Sequence, residues 1–185
     1  MLILMLALSC TAKLGAQTIA LKTDLLTGAL TSPNIGMEVK LSERFTLEAG
    51  FHYNPFPAGK GKRWKHWFVQ PELRYWMCQP YGGHFWGLNL MYGVYNAGNM
   101  KLPFGLFKEI RSSRYEGNFM GAGISYGYHF ILSPHWGVET SIGVGFLHSE
   151  YERYRCFHCG ESTGKGNRNF IAPTKAAVSL VYFIK

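Results

Sequence analysis

The chain of 185 residues is long enough for one domain, and it combines 16% aromatic residues and 22 glycines with only 16% charged residues and a formal net charge of +8. This composition suits many short strands and turns and is unusual for a cytosolic enzyme. No apolar run approaches the ~20 residues of a membrane-spanning helix. An integral membrane protein of this composition would therefore have to be a β-barrel.

Residues 1–16 (MLILMLALSCTAKLGA) form an apolar segment that ends in small residues, which is the pattern of a cleaved export signal. We therefore predict a signal peptide at 1–16 and one outer-membrane β-barrel domain at 17–185. Cys10 raises lipidation as an alternative, but Ala7 occupies the position where a lipobox prefers leucine. Simple cleavage is favoured.

The rest of the chain alternates apolar residues with small or polar ones at a period of two, which is the spacing of strands. The pattern is clearest at 119–148, where two such segments meet at a tight connector, 133–136, and each runs past the roughly 9–11 residues that a tilted strand needs to cross a bilayer. In chain order the predicted strands are 19–30, 35–41, 45–53, 66–76, 84–95, the two strands of the 119–148 hairpin, and 170–184.

The connections between these eight strands alternate in length. Those after the second, fourth and sixth strands are short, and those after the third, fifth and seventh are long. Outer-membrane barrels show this asymmetry, with short periplasmic turns and long outside loops. The predicted fold is all-β, an eight-stranded antiparallel up-and-down transmembrane β-barrel with three long extracellular loops.

Nine charged residues in the predicted strands lie on the face opposite the apolar rows. If the apolar rows face lipid, these residues point into the lumen, because a charge facing lipid is costly. An eight-stranded interior is just wide enough for side chains to fill, so we predict a salt-bridged plug and favour it over catalytic carboxylate pairs. This lumen charge network comprises Lys22, Asp24, Glu38, Lys40, Glu48, Glu72, Arg74, Glu139 and Lys175.

The three long loops, at 55–65, 96–115 and 149–169, hold twelve of the 19 basic residues and four of the 11 acids, which accounts for the entire net charge. Beside an outer leaflet, such loops would meet lipopolysaccharide phosphates or acidic glycans, although solvated loop charge explains the pattern equally well. Nucleic acid is a poor candidate for an exported barrel. The basic loop residues are Lys60, Lys62, Arg63, Lys65, Lys101, Lys108, Arg111, Arg114, Arg153, Arg155, Lys165 and Arg168.

Aromatic residues cluster toward the ends of the predicted strands, where the interfacial girdles of a membrane barrel lie. The core of a soluble barrel would give a similar count. The girdle candidates are Tyr53, Trp64, Trp67, Tyr75, Trp76, Tyr81, Trp86, Tyr126, Tyr128, Trp136, Tyr151 and Tyr182.

The compact motif Cys156-Phe-His-Cys159 is the one candidate for local chemistry. A C-x-x-C pair can be a structural disulfide, half of a zinc site or a redox pair. In an exported loop we favour the disulfide, because the compartment is oxidising. Cys78 lies in a turn at the opposite end and is expected to be unpaired.

The neighbouring residues His148, Ser149 and Glu150 suggest a hydrolase of lipid A. Adjacent residues of a strand alternate faces, however, so the three cannot converge on one point. We predict no catalytic residue, no metal and no cofactor.

Several segments resemble a Bacteroidota family catalogued as a domain of unknown function and expected to form small outer-membrane barrels, often encoded near fimbrial genes. The resemblance lies in ALKTDLLTGALTSPNIGMEV, KRWKHWFVQPELRYW, MKLPFG, RYEGNFMGAGISYGY, YRCFHCG and APTKAAVSLVYFIK, and covers almost all of the chain after the leader. It implies a barrel similar in shape to that of OmpA, an outer-membrane location and a surface-assembly context. It implies no activity.

Three hypotheses for the function follow. The favoured one is a non-enzymatic outer-membrane barrel, structural or interacting at the surface, whose basic loops contact lipopolysaccharide, glycans or a fimbrial assembly. The second is a soluble periplasmic barrel that binds an apolar ligand at its centre, as lipocalins do. The third is a lipid A-modifying enzyme, for which residues 148–150 are the only hint.

Overall fold

The structure is a computed structural model, and it describes residues 19–29, 31–56, 63–98, 114–154 and 162–184. It is all-β apart from one short helix. The elements are β1 (Ile19–Asp24), α1 (Leu25–Ala29), β2 (Asn34–Lys40), β3 (Phe45–Asn54), β4 (Arg63–Trp76), β5 (Gly83–Gly98), β6 (Arg114–Ile131), β7 (Trp136–Tyr154) and β8 (Ser162–Ile184).

Each strand pairs antiparallel with the next, and β1 also pairs with β8, so the sheet closes into a barrel. The short connections follow β2, β4 and β6, at 41–44, 77–82 and 132–135. We call the end with these connections the short-turn end and the opposite end the long-loop end. The prediction of eight sequential antiparallel strands is confirmed.

The predicted first strand, 19–30, is wrong in its second half, because β1 ends at Asp24 and α1 begins at Leu25. Asp24 caps this helix by accepting hydrogen bonds from the backbone N–H groups of Leu26 at 3.0 Å and Thr27 at 3.3 Å. Aspartate is among the preferred N-cap residues. The side chain of Asn34 fixes the turn by donating to the Asp24 carbonyl at 2.8 Å.

Strands β4 to β8 extend further toward the long-loop end than predicted. For example, β7 continues to Tyr154 and β8 begins at Ser162. The period of two continues there with polar side chains on the outer face, and pairs such as Glu152 opposite Lys165 extend the ladder. High charge density made this paired region look like loop in the sequence.

The interior is divided between long and small side chains. Strands β5 to β7 contribute glycines at the level of the buried charged residues, most of which lie on β1 to β4. Gly87 shows why, since a Cβ atom at this position would lie 2.6 Å from Oε1 of Glu72. Gly87 therefore leaves room for the charged side chain of Glu72 on the neighbouring strand β4.

One irregularity interrupts the pairing of β7 with β8. The register shifts between Gly143 and Val144, which lie opposite Lys175 and Pro173. Proline has no N–H to give to the ladder and is found at such bulges. The bulge re-aims the chain, so that consecutive residues Thr174 and Lys175 both make interior contacts.

The outer wall carries large apolar side chains that are substantially exposed. Among the described residues, no Asp, Glu, Lys or Arg lies on the outward rows at 67–75 of β4, 84–94 of β5, 120–130 of β6, 136–146 of β7 or 171–184 of β8. We call this surface the apolar belt. Its exposed members include Ile35, Met37, Leu47, Phe51, Val69, Leu73, Leu88, Leu90, Ile124, Ile142, Val144, Phe146 and Ile171.

Aromatic side chains border the belt at both ends. At the short-turn end, the ring centroids of Trp136 and Tyr182 lie 4.9 Å apart. At the other border, those of Trp67 and Tyr92 lie 6.0 Å apart. Beyond this second border the outward rows become polar, and on β7 the change occurs between Phe146 and Glu150.

Candidate functional site

The interior is closed at the short-turn end by a buried apolar cluster. Trp76 is its largest fully buried member, and the indole Nε1–H donates to Thr46 Oγ1 at 2.9 Å. Trp76 and Tyr81 were predicted in an outer girdle, and this prediction is wrong for both, because their side chains turn inward. The cluster comprises Ala20, Trp76, Tyr81, Phe85, Val181 and Phe183.

A layer of paired charges lies next to this cluster, and Arg74 is at its centre. The guanidinium is fully buried and contacts four carboxylates. It lies 2.7 Å from Oε1 of Glu72 and 2.9 Å from both Glu38 and Glu139, and it also pairs with Glu48. Such a buried charge is tolerated only when it is paired and hydrogen-bonded.

Two lysines complete the layer. Lys22 pairs with Glu139 at 2.6 Å, with Glu48 at 3.2 Å, and with Glu38. Lys175 reaches Glu72 at 2.9 Å and Glu48 at 3.2 Å. We call these seven residues the ion layer: Lys22, Glu38, Glu48, Glu72, Arg74, Glu139 and Lys175, all with side chains 10% exposed or less.

The pairing register of β2, β3 and β4 explains why cations are needed among the carboxylates of the ion layer. Glu38, Glu48 and Glu72 lie directly opposite one another on β2, β3 and β4. Like charges in that arrangement destabilise a sheet. Arg74 and the two lysines of the ion layer offset this repulsion, so the layer works as one unit.

The other two charges of the predicted network lie elsewhere. Asp24 caps α1 and also accepts the backbone N–H of Val178 at 3.1 Å. Lys40 is half-buried near the short-turn end and forms no ion pair with any described residue. The predicted set therefore separates into the ion layer, a helix cap and one peripheral lysine.

The basic loop residues fall into three groups. Lys65, Arg114, Arg153, Lys165 and Arg168 lie within strand ends, not in loops. Of Arg63 only the backbone is described, and Lys60, Lys62, Lys101, Lys108, Arg111 and Arg155 lie outside the described residues, as does the predicted leader at 1–16.

Two of the strand-end cations are paired across or along strands. Lys165 lies 2.5 Å from Glu152, and this hydrogen bond lowers the pKa of the Glu152 carboxyl below its ordinary value. Arg114 lies 2.6 Å from Glu116. The outer wall of the long-loop end therefore carries both signs of charge.

Cys156 and Cys159, which form the C-x-x-C motif, lie outside the described residues. Cys78 is exposed and free in the short turn between β4 and β5. In the part of the chain that the structure describes, no group of three or more His, Cys, Asp and Glu side chains could hold a metal ion.

Ser149 points into the barrel, whereas His148 and Glu150 point outward, as strand geometry requires. Ser149 is buried and hydrogen-bonds with the Tyr95 hydroxyl at 2.9 Å. The His148 ring is 2.5 Å from Oδ1 of Asn169 on the outside. Glu150 is exposed, with its carboxylate 3.8 Å from His148.

An aromatic chamber of about 300 Å³ occupies the barrel at the long-loop end, on the far side of the ion layer from the apolar cluster. Burial lowers the pKa of the His66 imidazole in its wall and raises the pKa of the Tyr95 phenol, so both are uncharged at neutral pH. The described lining is Trp64, His66, Phe68, Tyr95, Ala97, Tyr115, Phe119, Leu147, Ser149, Tyr151, Arg168, Phe170 and Ala172.

The sequence interpretation missed this chamber and assigned two of its residues, Trp64 and Tyr151, to an outer girdle. The signal was present on β4, where Trp64, His66 and Phe68 have the same parity as the inward residues Glu72 and Arg74. Following this parity beyond the charged positions would have placed the rings inside.

These features define a closed antiparallel β-barrel with a charged, plugged interior and an apolar outer wall. The chain belongs to the family described as "Protein of unknown function (DUF3575)", whose model matches residues 1–184. The predicted membership in a domain-of-unknown-function family is thereby confirmed. No curated protein and no solved structure matches the chain. No helix among the described residues is long and apolar enough to cross a membrane.

Proposed function

We propose that this protein is a non-enzymatic β-barrel of the outer membrane of a Gram-negative bacterium, with the apolar belt in contact with lipid. The observation that carries the proposal is the sorting of side chains by face: exposed apolar rows outside and the ion layer inside. Soluble monomers rarely expose contiguous apolar patches larger than a few hundred Å².

The dimensions of the belt support the proposal. On β7 the outward row from Trp136 to Phe146 spans ten residue steps. At about 3.3 Å per residue and a tilt of about 40°, this row covers about 25 Å along the barrel axis, which is the height of the apolar band in outer-membrane barrels. The bordering aromatic pairs then lie at the two interfaces.

A soluble, lipocalin-like barrel is the second candidate. It would need apolar side chains inside at the level of the belt and polar ones outside. The interior at that level instead holds the ion layer, and Ile142 on the outside is 69% exposed. The lipid-facing arrangement therefore accounts for both faces, and the soluble one for neither.

The role we propose is surface interaction through the basic long-loop end. The apolar cluster and the ion layer fill the interior toward the other end, which favours an anchor over a channel. Clustered arginines and lysines bind phosphates and carboxylates, so lipopolysaccharide, acidic glycans or a surface assembly such as a fimbria are the partner classes. The opposed faces of residues 148–150 argue against a hydrolase.

Membrane fractionation combined with gel mobility tests the location and fold. We expect the protein in the outer-membrane fraction, resistant to alkaline extraction, with a compact band that migrates faster before heating than after. Recovery as a detergent-free soluble monomer would contradict the proposal.

The surface role is tested with a variant that replaces Lys101, Lys108 and Arg111 by glutamine. Its binding to immobilised lipopolysaccharide, measured with the barrel in lipid nanodiscs, should weaken at least tenfold. Arg44→Gln, at the short-turn end, is the matched control and should bind as the parent does. Equal binding by all three proteins would contradict this role.

A further inference from the structure

A shallow groove of about 970 Å³ lies on the outer wall of β5 to β8, and no part of the proposed function uses it. We call it the border groove, because it begins at the last outward residues of the apolar belt and continues beyond the polar border. It is formed by the outward residues of 92–96, 116–118, 150–154 and 165–167. Its volume falls within the range of ligand sites, about 300–1,000 Å³.

In the part of the groove that is farther from the belt, the outward side chains are already paired with one another. Four of them lie directly opposite one another in the ladders from β5 to β8: Asn96, Glu116, Glu152 and Lys165. Asn96 donates to Glu116 at 2.5 Å, and Lys165 lies 2.5 Å from Glu152. Glu116 also pairs with Arg114 at 2.6 Å. Both cations at this level therefore already have carboxylate partners.

The next row toward the belt has hydrogen-bonding groups that the protein does not use. Asn118, Glu150 and Asn167 lie directly opposite one another on β6, β7 and β8. The amide groups of Asn118 and Asn167 form no hydrogen bond with any described residue. The Glu150 side chain is 63% exposed, and its one ion contact in the described chain is with His148 at 3.8 Å. Opposite residues have Cβ atoms about 5 Å apart, so the row spans about 10 Å.

Apolar side chains adjoin this row on the side of the belt. Val94 lies opposite Asn118, and Tyr92 lies opposite Met120 in the next outward row. These three apolar side chains are exposed and are the last of the belt on β5 and β6. A ligand that contacts both rows must be amphipathic, with its hydrogen-bonding groups away from the belt and its hydrocarbon toward it. A membrane lipid whose headgroup lies at this border has that arrangement.

The charge of the row distinguishes between classes of headgroup. A phosphate would bring a negative charge beside Glu150, whose row contains no Lys or Arg, and like charges placed side by side are unfavourable. The hydroxyl groups of a sugar can donate hydrogen bonds to the carboxylate, and they can both donate to and accept from the two amides. Asn118, Glu150 and Asn167 therefore match an uncharged sugar better than a phosphate.

We propose that the border groove binds a glycolipid of the outer leaflet. The sugar headgroup lies on Asn118, Glu150 and Asn167, and the hydrocarbon chains lie against the adjoining apolar side chains of β5 and β6. The inference rests on the proposed membrane location, because only there do the belt and the groove meet a lipid and its headgroup together. It goes beyond the proposed role of the basic loops, which concerns anionic partners at the long-loop end.

Native mass spectrometry of the barrel released from lipid nanodiscs tests the class of lipid. The nanodiscs contain phosphatidylcholine with equal small fractions of two dioleoyl lipids, a monoglucosyl diacylglycerol and a phosphatidylglycerol. We expect the barrel to retain the glucosyl lipid at least fivefold more than the phosphatidylglycerol. A ratio below twofold would overturn the proposal.

A variant with alanine at Asn118, Glu150 and Asn167 tests the row itself, and its ratio should fall below twofold. Glu43→Ala combined with Gln79→Ala is the matched control, since it removes a carboxylate and an amide from exposed turns at the short-turn end. This control should keep the ratio of the parent. An unchanged ratio in the triple variant, or an equal loss in the control, would overturn the proposal.

Photo-crosslinking locates the lipid on the wall. His148 on β7 and Lys65 on β4 are each the first outward residue beyond the belt on their strand, but only His148 adjoins the row. The photoreactive residue p-benzoylphenylalanine at His148 should crosslink to the glucosyl lipid at least fivefold more than the same residue at Lys65. Equal crosslinking at the two positions would overturn the proposal.

Each variant must keep the compact, heat-modifiable band before its lipid binding is compared. If the protein fractionates with the outer membrane but shows no preference for the glucosyl lipid, this inference fails and the proposed function stands. If the protein is a detergent-free soluble monomer, both fail.

Discussion

Arg74 is the residue on which the charge balance inside the barrel depends. It is fully buried and contacts all four carboxylates of the ion layer, whereas Lys22 contacts three of them and Lys175 two. Removing one partner of a buried ion pair costs far more than the pair contributes, because the remaining charges stay buried without compensation.

Arg74→Met should lower the free energy of unfolding by about 3–5 kcal/mol, because four neighbouring glutamates lose their shared cation. Arg44→Met is the control, since Arg44 lies in an exposed turn and should cost no more than about 0.5 kcal/mol. Urea unfolding from lipid vesicles measures both. Equal losses in the two variants would show that the ion layer has no special role in stability.

Substitutions of Asp24 test whether this residue stabilises the barrel through its negative charge or through its hydrogen bonds as the N-cap of α1. If it caps α1, Asp24→Ala should cost about 1–2 kcal/mol and Asp24→Asn much less, because asparagine also accepts hydrogen bonds at an N-cap. The same unfolding measurement applies. A loss in Asp24→Asn as large as in Asp24→Ala would mean that the negative charge is what matters.

Residue parity predicted which charged side chains face inward, and it works because successive residues of a strand alternate sides. It did not predict what each side chain does there. Asp24 became a cap because β1 ends beside it, and this depends on contacts with Asn34 and Val178 that are distant in sequence. Lys40 has the same parity as the ion-layer residues, but it lies at the short-turn end of β2 and forms no ion pair with any described residue.

At the scale of the strand, β7 contains the whole sequence of environments: apolar belt, polar border and chamber wall. The outward residue Ile142 lies near the middle of the belt row, and Glu150 lies beyond its border on the same face. The two positions share a strand and a side, so they differ chiefly in the medium that we propose around them.

Ile142→Lys should lower the free energy of unfolding from lipid vesicles by about 2–4 kcal/mol, as for a lysine at the bilayer midplane. Glu150→Lys is the matched control on the same face and should change it by no more than about 0.5 kcal/mol. Urea titration monitored by tryptophan fluorescence gives both values. If Ile142→Lys is as mild as the control, the belt does not face lipid.

The number and order of strands could be predicted from sequence because alternation and connection length are local signals. The extent of the strands could not, since the outward residues at 148–154 and 163–169 are mostly polar while their inward neighbours are a mixture of aromatic, small and basic residues. Composition alone labels such a stretch as loop. Its pairing, and hence the chamber it encloses, depends on the register between β7 and β8.

For the whole molecule, closure of the sheet makes it possible to have a charged interior and an apolar outer wall. Pairing of β1 with β8 leaves no strand edge between the described strands, so every backbone ladder is completed within the wall. In lipid this is a requirement, because unpaired backbone groups there cost several kcal/mol each. The proposal that lipid surrounds the barrel thus accounts for three features together: the closed ladder, the ion layer and the apolar belt.

The most direct test is a nitroxide scan along β7, with single cysteines at 138–152 of a variant in which all four native cysteines are serine, reconstituted in lipid vesicles. Collision with oxygen reports lipid, and collision with a water-soluble nickel complex reports water. We predict that labels at Thr140, Ile142, Val144 and Phe146 collide with oxygen and exclude nickel, and that nickel dominates at Glu150 and Glu152. Nickel access at Ile142 equal to that at Glu150 would contradict the account.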